Sequence, residues 1–431
     1  MKKILLIAVF TIISINYAFS VTLTEALIQT YKNNTELNAE RENVKVSQKD
    51  LIISKADYLP SASITGSKSK EKTNKLTNQG GGDASITDVD PLIATIKLEH
   101  TLVDFGRDAE YKKKKIGINL AEAKLLKKEQ DIFYKAIEAY SGLILANEKL
   151  TINQINLSLL ERQVETDKVR LERGQITVSD LAQSKSSLAG AQAQFIQAKN
   201  EIVTNKLNYE NIIGKILNPK SLEKTSESIV SIPQSLNSAI DLSKQNNPDI
   251  TIAKLELEQS EKDIEIAESD LKPTATLSLE RSYSDNLNTT YDKKEKDVLK
   301  ATVSWPFYSG GKKRVTISKN QNLKTRKRLL LDNAIKTNDT IVATAWANLQ
   351  SSKSFLNFVR LQVRAAQIAN EGITAEYERG SGRTTLDVIQ SNTLLLNAKV
   401  SLSNSERNYL LAQYNLLKSV GLLNSTYLKL E

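Results

Sequence analysis

The 431-residue sequence has no cysteine, a single histidine (His100), a single methionine (Met1) and only two tryptophans. Without cysteine there is no disulfide framework and no thiolate metal site. One imidazole supplies no cluster of histidine ligands, and thiol catalysis is excluded outright. The inventory reads as structural or channel-like rather than enzymatic, with no cofactor expected. Long apolar runs are also scarce. Lys2 and Lys3 precede an apolar stretch from Ile4 to Ile15, and "YAFS" closes with Ala18-x-Ser20. That pattern predicts a secretory signal peptide over residues 1–20 rather than a membrane-spanning or buried helix. No later run is long enough to cross a bilayer as a helix, so any membrane insertion must use strands. The missing cysteine also removes an N-terminal lipid anchor. Two lysines leave with the signal peptide, so the net charge falls from +9 to +7. The remaining lysines are spread along helices and polar loops without an aromatic-interleaved basic patch, which predicts a solvated surface and no nucleic-acid partner.

What the chain does have is a duplication. Residues 23–64 align with 236–277 at a shift of 213 without a gap: "LTEALIQTYKNNTEL" faces "LNSAIDLSKQNNPDI", and "SQKDLIISKADYLPSAS" faces "SEKDIEIAESDLKPTAT". Later, "LERGQITVSD" (171–180) and "YERGSGRTTLD" (377–387) place the same Glu-Arg-Gly break at nearly matching offsets, as do Gly214 and Gly421. Self-similarity on this scale means two halves with one plan.

Each half opens with a short helix ending at Asn-Asn, where Asn34 and Asn247 suit N-caps and Pro248 suits a first helical position. A helix of about 23 residues follows and stops before Pro60 or Pro273. Two strands come next, over about 60–69 and 91–103 in the first half and about 273–284 and 297–308 in the second. The polar stretches between them, "GSKSKEKTNKLTNQGGGD" and "SDNLNTTYDKKEKD", read as long exposed loops. Long helices are predicted over 107–173 and 312–378. They carry sustained three-four stripes such as Ile132, Ala136, Ala139, Leu143 and Val342, Ala345, Leu349, Leu356, which point to coiled-coil packing. Each would be about 100 Å long at 1.5 Å per residue. Return helices follow over 178–214 and 384–421. The first repeat is thus 21–214 and the second 236–421, with an equatorial linker at 215–235 and a tail at 422–431. Stacked end to end, the two shorter helices of a half match the long one. Four strands are too few to close a barrel, so several chains must share one.

These residues resemble the TolC-type outer-membrane efflux proteins. The likeness rests on the "LTEAL…NN…L" opening, the Ala-Asp-x-x-Pro helix ending, "LVDFGR" with its partner "PFYSGGKKR", and the hairpin tips "ERG…SDLAQS" and "ERG…TLDVIQSNTLL". It covers essentially the whole mature chain. It implies a mainly α fold with a membrane β-barrel: a homotrimeric helical tunnel beneath a shared twelve-stranded outer-membrane barrel. It also implies a passive exit duct for a tripartite efflux pump or a type I secretion system, joined to an inner-membrane pump by a periplasmic adaptor protein. By the same resemblance Ser179, Asp180, Tyr377 and Arg383 belong to a gate at the periplasmic tip, with Arg383 and Tyr377 bonding to Asp180. Asp387 matches an acidic constriction, whereas Gln390 stands where the family has a second acid. The second tip is one residue longer than usual. Adaptor contact falls to Gly174, Gln175, Ile176, Thr177 and Val178, and to Gly380, Ser381, Gly382 and Thr384.

Plainer readings stand beside these. Asp180 can simply start the returning helix. Arg383 and Asp387 can be an exposed i,i+4 pair, and Tyr377 can be ordinary packing. "YSGGKKR" lacks the spacing and the Ser/Thr of a phosphate-binding loop. "GGGD" reads as a flexible loop, and His100 as a pore-side or packed histidine on an apolar strand face. The alternatives for the whole protein are a structural coiled-coil protein of the envelope or a periplasmic adaptor. Two equal halves, each with strands and a full hairpin, count against both.

Overall fold

The computed structural model describes residues 21–75, 85–216, 218–224, 231–287, 292–380 and 382–430. The candidate signal peptide 1–20, Ser381 and the "GGGD" motif at 80–83 lie outside these residues. The elements run α1 (Leu23–Asn33), α2 (Thr35–Ala56), β1 (Ser61–Lys68), β2 (Glu71–Lys75), β3 (Ser85–Val89), β4 (Leu92–Val103), α3 (Arg107–Glu172), α4 (Val178–Ile212), a 3-10 turn (Pro219–Ser221), α5 (Leu236–Asn246), α6 (Pro248–Ser269), β5 (Thr274–Asp285), β6 (Lys293–Ser304), α7 (Lys312–Glu378) and α8 (Thr385–Ser419). They form two compact units, Met1–Asn38 with Lys128–Asn247 and Asp339–Glu431, and Ala39–Lys127 with Pro248–Asn338.

The first unit is helical, and its core repeats the duplication. α1 starts at a capping box in which Thr22 and Glu25 bond reciprocally. It then buries Leu23, Ala26 and Leu27 against Phe133, Ile137 and Tyr140 of α3, with Tyr209 of α4 and Tyr414 of α8 in the same cluster. α5 lays Ala239 into the corresponding cluster with Val342, Ala345 and Leu349 of α7 and Leu416 of α8. Each such large side chain, fully buried, contributes about 1.5–3 kcal/mol. The two asparagines do matching work. Asn34 accepts from the Leu37 amide at 3.1 Å and donates to the Ile212 carbonyl at 3.0 Å, tying the start of α2 to the end of α4. Asn247 donates to the Ser419 carbonyl at 3.1 Å, near the end of α8.

The second unit holds the strands. β1, β4, β5 and β6 form an antiparallel sheet in that order, so β1 and β6 are its open edges. Residues directly paired across an antiparallel ladder share a face. The register therefore gathers Ala62, Ile64, Ala94, Ile96, Leu98, Leu277, Leu279, Leu299, Ala301 and Val303 on one side. Ser63, Thr65, Thr95, Lys97, Ser278, Glu280, Lys300 and Thr302 occupy the other. This side is charged only toward the β5–β6 loop, as at Arg281, Glu295 and Asp297, and its apolar part is bare: Ile64 is 79% exposed, and Leu299 and Val303 are each 72% exposed. His100 pairs with Leu277 on this apolar side and is half-buried there.

Two strand expectations need correction. The stretch read as one long loop in the first half contains a short hairpin, β2 with β3, pairing Glu71 with Val89 and Lys75 with Ser85. In the second half β6 begins earlier than expected and ends earlier. Lys293 to Lys296 are poor strand formers, yet they pair with Asp285 to Ser282, and Arg281 meets Glu295 across the ladder at 3.2 Å. At the other end Pro306 has no N–H to donate, so the ladder stops at Ser304 and leaves Trp305 and Phe307 beyond it.

Candidate functional site

The two hairpin turns, α3 to α4 and α7 to α8, both lie in the helical unit. α3 closes in a Schellman motif: the Gln175 amide bonds to the Arg170 carbonyl and the Gly174 amide to that of Leu171, each at 2.9 Å. Gly174 has φ +71° and Gly380, at the matching place after α7, has φ +73°, a left-handed conformation that favours glycine. The return helices then start identically. Thr177 accepts from the Asp180 amide at 3.2 Å while the Asp180 carboxylate accepts from the Thr177 amide at 2.8 Å. Thr384 and Asp387 repeat this arrangement with the same distances. The shared Glu-Arg-Gly…Thr-x-x-Asp signature is therefore a C-cap followed by a capping box.

The caps set the charge of the turns. The Thr177 amide, then its hydroxyl, hold the Asp180 carboxyl below its ordinary value of 3.8. The Thr384 amide and hydroxyl do the same for Asp387, with Arg383 adding a smaller lowering through its charge. Each cap engages one carboxylate oxygen. The other, Oδ1, takes no hydrogen bond among the described residues of the chain.

The expected bonds from Arg383 and Tyr377 to Asp180 are not formed within the chain, among the described residues. Arg383 Nε donates to Glu376 at 2.6 Å, an exposed carboxylate seven residues back along the same hairpin. Asp180 is held at the helix start by Thr177. Tyr377 sits on the buried stripe of α7, so its hydroxyl is directed between helices rather than toward the turn. It donates to Asp167 Oδ1 of α3 at 3.0 Å and lies 3.0 Å from the Thr385 hydroxyl. Even so, Asp180, Tyr377 and Arg383 line one cleft of about 480 Å³, with Arg170, Gln175 and Thr385 also on its walls.

Asp167 is the residue that the sequence reading missed. It is 0% exposed, and its carboxylate also accepts from Ser184 Oγ at 2.5 Å and Gln163 Nε2 at 3.0 Å. The Arg170 guanidinium covers the Tyr377 ring at 4.1 Å. Four helices thus meet on one buried acid and one tyrosine: α3, α4, α7 and the start of α8. The signal was present. Leu160, Val164 and Leu171 leave a gap in the apolar stripe of α3, and Asp167 fills it. Ser184 likewise falls on the buried side of α4 with Leu181 and Ala191.

Ser179 and Gln390 are exposed, and Asp387 is half-buried one turn before Gln390 on α8. Of the expected docking residues, Gly174, Gln175, Thr177, Val178, Gly380, Gly382 and Thr384 are exposed and Ile176 is half-buried.

Comparison with known proteins gives a consistent result. The family model described as "Outer membrane efflux protein" matches residues 26–215 and 239–422, once for each repeat. The outer membrane efflux protein BepC of Brucella suis is 26% identical over 428 residues, covering 98% of this chain and 90% of that protein. Outer membrane protein TolC of Escherichia coli is 21% identical over 440 residues, covering 98% and 87%. Among solved structures, the Campylobacter jejuni CmeC outer membrane channel superposes with a TM-score of 0.81 at 16% identity, over 93% of this chain and 85% of that one. The mainly helical fold is that of these channels.

Proposed function

Because the chain belongs to the outer membrane efflux protein family, whose members are transport channels of the outer membrane rather than enzymes, we propose that it forms a trimeric exit duct gated at its periplasmic tip. The observation that carries this is the open four-stranded sheet with a bare apolar face. Unpaired strand edges are not tolerated in lipid, and a sheet with an apolar outside and a polar inside is suited to closure against copies of itself. Three copies supply twelve strands, enough for one barrel. The helices carry matching evidence: Phe355, Phe358, Leu361 and Ile368 of α7 are all exposed in the single chain, an apolar surface that suits burial in an assembly. Export depends on the leader at 1–20, and the helical portion stands in the periplasm.

At the tip, Asp180, Ser179, Tyr377 and Arg383 form the gate. Tyr377 acts through Asp167, whereas the free Oδ1 of Asp180 accepts from a neighbouring protomer. Asp387, repeated three times around a narrow pore, favours cations, and Gln390 leaves that ring with one acid per chain. The turns around Gly174–Val178 and Gly380–Thr384 receive the adaptor of an efflux pump or type I secretion system, and the pump upstream selects the cargo.

Planar-bilayer conductance of the purified protein, wild type beside Asp180→Ala, tests this. Small discrete channels that widen in the variant support duct and gate together. Channels indifferent to the substitution keep the duct and move the lock away from Asp180. Absence of conductance from folded protein would sink the channel.

A further inference from the structure

The two repeats treat one position differently. After the first strand pair, α3 opens with Arg107, with Asp108 and Glu110 in its first turn, and three of the four lysines that follow pair with carboxylates of the same chain. Lys112 pairs with Asp108 at 2.6 Å, Lys113 with Asp263 at 2.7 Å, and Lys114 with Asp50 at 3.8 Å. After the second pair, α7 opens with Lys312, Lys313 and Arg314 and has no acid in its first turn. Cations there oppose the helix dipole, so helix stability does not account for them. Among the described residues none of the three forms an ion pair, and Lys313 donates only to the uncharged Asp270 carbonyl. Directly before them lies a run of bare aromatic side chains. Trp305 is 64%, Phe307 86% and Tyr308 79% exposed, and Val315 beyond is 69% exposed. The Trp305 indole N–H is fixed to the Leu271 carbonyl at 3.1 Å, which holds the ring at the sheet's helix-connected end.

We infer that Trp305, Phe307 and Tyr308 with Lys312, Lys313 and Arg314 form a docking surface for anionic phospholipid in the periplasmic leaflet of the outer membrane. The inference rests on the membrane reading of the sheet. Aromatic rings partition to the headgroup level, and long basic side chains beside them reach phosphate while their stems stay on apolar surface. The charge complementarity is strongest in the second repeat, where three consecutive cations have no carboxylate partner among the described residues. Each such cation favours an anionic headgroup by up to roughly fivefold.

Trp305 reports on the site directly. With Trp346→Phe it becomes the sole tryptophan. The protein is reconstituted in phosphatidylcholine vesicles containing the same minor fraction of either brominated phosphatidylglycerol or brominated phosphatidylcholine, and quenching of Trp305 is compared. The expected result is quenching at least about twofold stronger with the anionic lipid, weakened by salt. Lys312→Gln with Lys313→Gln and Arg314→Gln should reduce it to the phosphatidylcholine level, whereas Lys312→Arg should preserve it. Equal quenching by the two lipids, or selectivity that survives the triple substitution, overturns the docking surface while leaving the barrel intact. No quenching by either lipid overturns both, because Trp305 would then lie outside the membrane.

Discussion

The contact between Tyr377 and Asp167 should govern how firmly the two hairpins hold together. Tyr377→Phe removes one of three donors from a fully buried carboxylate and strips the Thr385 hydroxyl of its neighbour. A hydrogen bond to a charged acceptor contributes about 1.5–3 kcal/mol, so a loss of about 2 kcal/mol in local stability is expected. If the end of α7 exchanges its amide hydrogens by local opening, that loss accelerates exchange over residues 370–379 about thirtyfold. Asp167→Ala should cost more, because it leaves the donors of Ser184, Gln163 and Tyr377 unsatisfied together. The double variant should then fall short of the sum by about 1–2 kcal/mol, since the tyrosine hydroxyl has nothing left to lose. Hydrogen exchange followed by mass spectrometry on the wild type, both single variants and the double variant gives all four corners of this cycle. Additivity within about 0.3 kcal/mol, or exchange in Tyr377→Phe within twofold of wild type, would refute the idea that this bond joins the hairpins.

Two further outcomes follow from the same structure. Asp180 and Asp387 have their carboxyls held below 3.8, so the stability they lend the turns is fully present above that value and is lost as pH falls through their lowered values. Protection of the first turns of α4 and α8, corrected for intrinsic exchange, should be level from neutrality down to about pH 4 and decline below it. A decline centred near pH 6 would implicate other groups. On the sheet, Leu299→Arg places a charge on the apolar side and should cost about 2–4 kcal/mol of folding stability in lipid vesicles if that side meets the bilayer midplane. Thr302→Arg, on the opposite side of the same strand, should be tolerated. Equal penalties for the two would mean that the apolar side does not face lipid.

The sequence alone determined the duplicated plan, the succession of helices and of the four longer strands, the asparagine caps and the glycine turns. Apart from the duplication itself, these are short-range features. A three-four stripe, an Asn before a helix or a glycine at positive φ is specified within a few residues, and the duplication shows each of them twice. The apolar side of the sheet was legible for the same reason, since strand alternation has a period of two. Tertiary structure decided the rest. Tyr377 and Asp167 are 210 residues apart, and nothing local distinguishes an aspartate buried at a stripe position from one on a solvated helix face until the partner helices arrive. Asp180 and Asp387 looked like gate acids because of what they resembled. Within the chain, one oxygen of each carboxylate also caps a helix start, where free amides and the helix dipole favour it. Likewise Lys293 to Lys296 read as loop by propensity, and became strand because β5 offered a complete ladder of backbone partners.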